Sequence, residues 1–169
     1  MFIGGEIHIE GNQSDIANLK QIIEEENDED ISEFKNNTDE FLVEENDDFS
    51  FAIVYDIYEA TRPEKHFSSL MEKYPNIEWI FSHGIDDTGD HSAMGNRFIV
   101  FKNGEMVFEE YEWYNASDYM DSDEDVDSDE LLEKISAARS EGEDTFFFTC
   151  RDKWENKKSG DDKDESDDD

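Results

Sequence analysis

Residues 49–58, FSFAIVYDIY, decide the fold of this chain. Phe51, Ile53, Tyr55 and Ile57 recur at every second position, the period of a β-strand. Ala52 and Val54 leave the alternate face partly apolar, which predicts a central strand. Toward the C-terminus, Pro63 suits the first position of a helix, because its missing N–H would have no helical partner there. Phe67, Leu70, Met71 and Tyr74 then follow at i, i+3, i+4 and i+7, and Pro75 ends that helix. Residues 77–83, IEWIFSH, read as a strand with Ile77, Trp79 and Phe81 facing inward. A loop is expected at 84–95. Residues 97–102 and 105–112 form a hairpin across Asn103-Gly104, a pair that tolerates the positive φ values of a type I′ turn.

Toward the N-terminus, residues 2–10 alternate Ile3, Ile7 and Ile9 with Glu6, His8 and Glu10, a half-buried strand. Ser14 or Asp15 is expected to cap the next helix, whose apolar stripe is Ile16, Leu19, Ile22 and Ile23. Residues 24–48 read as an acidic surface insertion, with a helical turn at 31–35 and a short strand at 41–44. After the hairpin, 117–130 is acidic and exposed. Asp127 and Glu130 have capping-box spacing. Leu131, Leu132, Ile135 and Ala138 predict a helix that stops at Gly142. Residues 145–150 are apolar enough for a last strand, with Trp154 as an anchor. The remainder is a charged tail.

The order strand, helix, strand, helix, strand, strand predicts an α+β fold. Its sheet is antiparallel or mixed, with helices on one face, in a split βαβ arrangement of the ferredoxin-like kind. Residues 1–113 are expected to form that domain. Residues 114–155 add an acidic loop, a helix and a final strand packed on it, and 156–169 form a disordered acidic tail.

Residues 67–79, FSSLMEKYPNIEW, a glycine- and aspartate-bearing loop, and residues 101–107, FKNGEMV, resemble the YubB ferredoxin-like domain family. The resemblance covers about residues 1–113. It departs from the family pattern in the acidic segment 24–48 and in everything after Trp113. It implies the same fold and an origin on a plasmid, phage or other mobile element, and it brings no catalytic residues.

Charge is the strongest functional signal. The chain has 169 residues, with 49 Asp and Glu against 14 Lys and Arg, a formal charge of −35. A small domain needs a net charge of only about 2–8 to stay soluble. The surplus opposes compaction, yet 13 % of the residues are aromatic, far more than acidic disordered chains carry. A folded core with a functional acidic surface is expected. Nucleic acid and anionic membranes are repelled by such a field. No apolar run approaches a membrane span, and the start of the chain lacks the basic region of a signal peptide. The single Cys150 allows no intramolecular disulfide, in keeping with a reducing, cytoplasmic compartment, and it reads as a small buried hydrophobe.

No catalytic motif is present: neither a Gly-rich phosphate cradle nor a nucleophile elbow occurs. The chain is therefore read as a non-enzyme without cofactor. His83, Asp86, Asp87, Asp90 and His91 crowd one stretch, but the glycines among them predict a solvated loop, and no metal site is assigned. Asp121, Asp123, Asp125 and Asp127 alternate like a calcium loop, but Val126 and Leu132 stand where that loop needs Gly and Glu.

The expected function is inhibition by DNA mimicry. Carboxylates would occupy the nucleic-acid-binding surface of a basic host defence protein such as a restriction, CRISPR or other nuclease. Same-face carboxylates on a strand recur about every 6.6 Å, and at i, i+4 on a helix about every 6 Å, so several elements together approach phosphate density. The expected contact residues are Glu24, Glu25, Glu26, Asp28, Glu29, Asp30, Glu44, Glu45, Asp47, Asp48, Glu109, Glu110, Glu112, Trp113, Asp118, Asp121, Asp123, Glu124, Asp125 and Asp127. The alternatives are an immunity or antitoxin protein that binds one basic toxin, and a ferredoxin-like regulatory domain with incidental acidity. Monomer and homodimer are both compatible with the sequence.

Overall fold

A computed structural model of the protein describes residues 2–58, 62–86, 94–115, 118–119 and 128–160. The chain runs through β1 (Phe2–Glu10), α1 (Gln13–Glu25), α2 (Glu29–Asn37), β2 (Thr38–Asp47) and β3 (Ser50–Tyr58). It continues through a 3-10 turn (Pro63–Phe67), α3 (Ser68–Lys73), β4 (Glu78–Asp86), β5 (Met94–Lys102), β6 (Glu105–Tyr114) and α4 (Ser128–Lys158). The six strands form one sheet in the order β2-β3-β1-β4-β5-β6, every neighbouring pair antiparallel. The first four strands with their helices reproduce the βαββαβ order of a ferredoxin-like α+β fold, and the β5–β6 hairpin widens the sheet beyond β4.

Register places Ile7 between Ile53 and Phe81, and Ile9 between Phe51 and Trp79, so one face of the sheet is a continuous apolar floor. α1 covers it with Ile16, Leu19 and Ile23, α2 with Ile31 and Phe34, and the 3-10 turn and α3 with Phe67, Leu70 and Met71. Phe34 sits at the centre of an aromatic cluster with Phe41, Tyr55 and Phe67 at 5.2–6.0 Å. At about 25 cal/mol per Å² of apolar surface, each of these buried rings stabilises by roughly 2–3 kcal/mol.

Several expectations need correction. Residues 24–48 are no surface insertion, because they supply α2 and the second core strand. Ile31 and Phe34 are fully buried, and Phe41 and Val43 pack on the same core. Residues 145–150 are helical, not a strand: Phe146, Cys150 and Trp154 recur at i, i+4, i+8 and pack on Ile80, Phe98 and Val100. The helix does not stop at Gly142, whose missing side chain lets α4 pass close to the Tyr114 hydroxyl. Helices therefore do not share one face, since α4 lies on the opposite face from α1–α3, over β4, β5 and β6.

The tail expected from 156 starts later, since α4 runs to Lys158, and the loop expected at 84–95 is narrower, since β4 runs to Asp86 and β5 starts at Met94. Asn103 and Gly104 take φ of 55° and 74°, as the hairpin turn demands. The α1 cap is Asn12, not Ser14 or Asp15; its side chain accepts from the Asp15 N–H at 2.8 Å. The expected Asp127 cap lies outside the described residues. Trp154 does anchor α4, donating from Nε1 to Glu78 at 2.8 Å. No helix among the described residues is long and apolar enough to cross a membrane.

Gly5 marks the tightest strand crossing. A Cβ there would meet the Ser82 carbonyl oxygen and the His83 Cα, both backbone atoms that cannot swing aside. Gly5→Ala is expected to destabilise by about 1–3 kcal/mol. Thermal unfolding checks this, at roughly 2–4 °C of midpoint per kcal/mol for a chain of this size; an unchanged midpoint would show the strands can part.

Candidate partner-binding surfaces

The expected contact residues that the structure describes fall in two groups, one at each edge of the sheet. On the β2 edge, residues 24–48 carry 13 carboxylates and a single Lys35. All but Asp48, which lies in the β2–β3 turn, sit on or between α1, α2 and β2, so mostly regular backbone holds them. Folding brings the 24–30 and 44–48 zones together. Glu24 lines one shallow groove with Asp47 and Asp48, and Lys20 lies between them, paired to Glu24 at 3.9 Å and to Glu45. That ammonium holds the Glu45 carboxyl below its ordinary range.

Within this surface the carboxylates have different duties. Asp28 caps α2, accepting from the Ile31 N–H at 3.1 Å. Asp47 accepts from the Phe49 N–H at 2.8 Å and the Ser50 hydroxyl at 3.0 Å, closing the β2–β3 turn. Glu26 pairs with Lys35 at 2.8 Å, and Glu25 accepts from Gln21 and Asn27. Glu29, Asp30, Glu44 and Asp48 are exposed, with no cation against them among the described residues. Those four, with Glu24, Glu33, Asp39 and Glu40, are presented outward.

The β6 edge is less open than expected. Glu110 faces Lys153 of α4 at 3.7 Å. Glu112 is half-buried under α4, accepting from the Tyr114 hydroxyl at 2.5 Å, and this contact and burial push the Tyr114 phenol upward. These two serve the α4 contact rather than a free surface, because even-numbered residues of β6 face α4. On the other face Glu109 accepts from the Tyr111 hydroxyl at 3.0 Å, and Trp113, 46 % exposed, stacks on Tyr111 at 5.3 Å. Asp118 is exposed. Asp121, Asp123, Glu124, Asp125 and Asp127 lie outside the described residues.

A buried polar cluster went unnoticed in the sequence. Arg97, 2 % exposed, pairs with Glu64 at 2.6 Å and donates from Nε to the Tyr111 hydroxyl at 2.9 Å. Beside it the Tyr55 hydroxyl meets His83 Nδ1 at 3.1 Å. Glu64 Oε2 and His83 Nε2 make no hydrogen bond. Burial, then the charges of Arg97 and Arg62, push His83 down to about 3, so the ring is neutral at physiological pH. Burial and the neighbouring Glu64 push the Tyr55 phenol upward. The neutral imidazole and the un-ionised phenol are both sealed from solvent. Cys150 is likewise sealed, its thiol pushed up to about 11 by burial and then by Glu110, so it is a poor nucleophile. Among the described residues, no three His, Cys, Asp or Glu side chains are grouped to hold a metal ion.

Comparison with protein-family models, with characterised proteins and with solved structures returns no match to this chain.

Proposed function

We propose that the protein is an acidic inhibitor that occupies the nucleic-acid-binding surface of a basic partner. The observation that carries this reading is the β2 edge, where residues 24–48 set 13 carboxylates against one lysine on two helices, a strand and the short turns beside them. Fixed backbone matters here. An array already in place loses little conformational entropy on binding, whereas a disordered acidic tail must be ordered first. A host defence nuclease has the basic groove such an array fits, and long-range attraction would raise association rates by about 10–10³-fold at low salt. Kinship with the YubB ferredoxin-like family and an origin on a mobile element belong to the same reading.

The test is capture of host proteins on the immobilised chain at low salt, followed by elution with duplex DNA. The expected partner is a nucleic-acid-binding protein that DNA displaces. Joint replacement of Glu24→Gln, Glu29→Gln and Asp48→Asn is expected to weaken it about tenfold, at roughly 0.5 kcal/mol for each exposed charge. A partner indifferent to DNA and to these changes refutes the mimicry.

A further inference from the structure

The sheet is covered unevenly. α1, α2 and α3 lie over one face. On the other, α4 packs on β4, β5 and β6 and reaches β1 through Arg151, which donates to Glu10 at 2.9 Å. Over the outer half of that face, formed by β1, β3 and β2, no helix packs among the described residues.

The floor of this half mixes a few apolar side chains with acidic ones. Register lines up Glu6 with Val54 and Leu42, and His8 with Ala52 and Glu44. Leu42 is 50 % exposed. The flank of α4 forms a wall with Phe147 and with Phe148, which is 72 % exposed. Beneath that wall, over β1, β4 and β5 at the inner margin of the half-face, lies a cavity of about 250 Å³, also lined by Glu6, His8, Ser82, Phe98 and Asp144. A helix that packed only on the inner strands would gain nothing by turning a phenylalanine toward open solvent.

The dimensions suit one more helix. Neighbouring strands are about 4.8 Å apart, so three span about 10 Å between their outer axes. A helix with its side chains is about 10–12 Å across. The surrounding charge selects its chemistry. Glu40 and Glu44 line the β2 side, Asp144 lines the α4 side, and Asp56 lies in the floor between Gly4 and Glu40. Asp56 Oδ1 is buried and accepts no hydrogen bond. The basic side chains nearby are already engaged, Arg151 with Glu10 and the His8 ring with Glu6, each at 2.9 Å.

We propose that this half-face is the docking site for a basic amphipathic helix of a partner protein, lying beside α4 with its apolar stripe on Leu42, Val54 and Phe148. A second copy of this chain is a poor occupant, because two acidic faces of a −35 molecule would be apposed. The inference does not depend on the partner binding nucleic acid.

The probe is a synthetic 18-residue peptide, with Leu at i, i+3, i+4 and i+7 spacing and Lys and Arg elsewhere, titrated into the isotope-labelled full chain at 150 mM salt. A scrambled peptide of equal composition serves as control. Backbone shift changes are expected on β1, β3, β2 and the 144–151 part of α4. Phe148→Ala with Leu42→Ala is expected to weaken binding at least fivefold. Both side chains are exposed, and an unchanged melting temperature verifies that the variant folds. Equal binding of the scrambled peptide overturns the proposal, since attraction would then be charge alone. Shift changes centred on α1 and α2, or a concentration-dependent dimer abolished by the same two substitutions, overturn it as well.

Discussion

Replacing Arg97 by methionine is expected to cost about 3–5 kcal/mol of stability. Arg97 comes from β5 and Glu64 from the 3-10 turn, so their 2.6 Å contact ties the sheet to the helical layer above it. Their side chains are 2 % and 9 % exposed. Deleting the guanidinium leaves the Glu64 carboxylate buried without compensation, and it also strips the Tyr111 hydroxyl of its donor. The loss then comes from desolvated charge rather than from the net value of the pair. Urea denaturation measures it, as a midpoint about 2 M lower at a slope of roughly 2 kcal/mol per M. Adding Glu64→Leu should recover most of the loss, because a matched apolar pair is often neutral or better. A single variant losing less than 1 kcal/mol would mean that Glu64 is hydrated, against its burial.

Acid should destabilise the protein through His83. The ring's pKa is about 3 in the folded chain and 6.5 when unfolded, so between these values the unfolded state binds a proton that the native state refuses. Unfolding stability therefore rises with pH across this window and falls as pH drops through it. The slope is about 1.4 kcal/mol per pH unit, or roughly 3 kcal/mol between pH 6.5 and pH 4. Protonation of the many surface carboxylates acts in the opposite direction by relieving repulsion. The measurement is accordingly a difference, parent against His83→Asn, which keeps a polar group near Tyr55 and has no titration in this range. The parent should lose about 3 kcal/mol relative to the variant between pH 7 and pH 4. Parallel pH profiles would show that His83 becomes protonated in the folded state.

The strands that were legible in the sequence have an unbroken two-residue period. β1, β3 and β4 alternate apolar residues over most of their length, and the β5–β6 turn has the Asn-Gly pair that its backbone requires. β2 reads from the sequence only as a short strand at 41–44, because only Phe41 and Val43 mark its inner face, while acids surround them. An edge strand beside solvent can afford charges at alternate and terminal positions, and β2 does. α4 was misread for the reverse reason. Phe146, Phe147 and Phe148 are apolar at consecutive positions, and such a run carries no period. Trp154, four residues beyond Cys150, completes the helical spacing, but it had been set apart as an anchor.

The candidate surfaces divide in the same way. The acidic zones were visible as composition. The capping duties of Asp28 and Asp47, the burial of Glu112 beneath α4 and the meeting of Glu24 with Asp48 were not. The Tyr55, Glu64, His83, Arg97 and Tyr111 cluster was invisible, since its members lie on five different elements and no local pattern connects them.

The sequence by itself determined the excess negative charge, the interior strands, the hairpin turn and the presence of a core. Charge is a sum over residues, and period and turn propensity act over a few neighbouring positions. Only the tertiary structure decided that segment 24–48 joins the sheet, that α4 takes the opposite face, which carboxylates remain exposed and which half-face lies open. Those outcomes depend on strand register and on which face each helix covers, and both are settled by contacts between residues far apart in the chain.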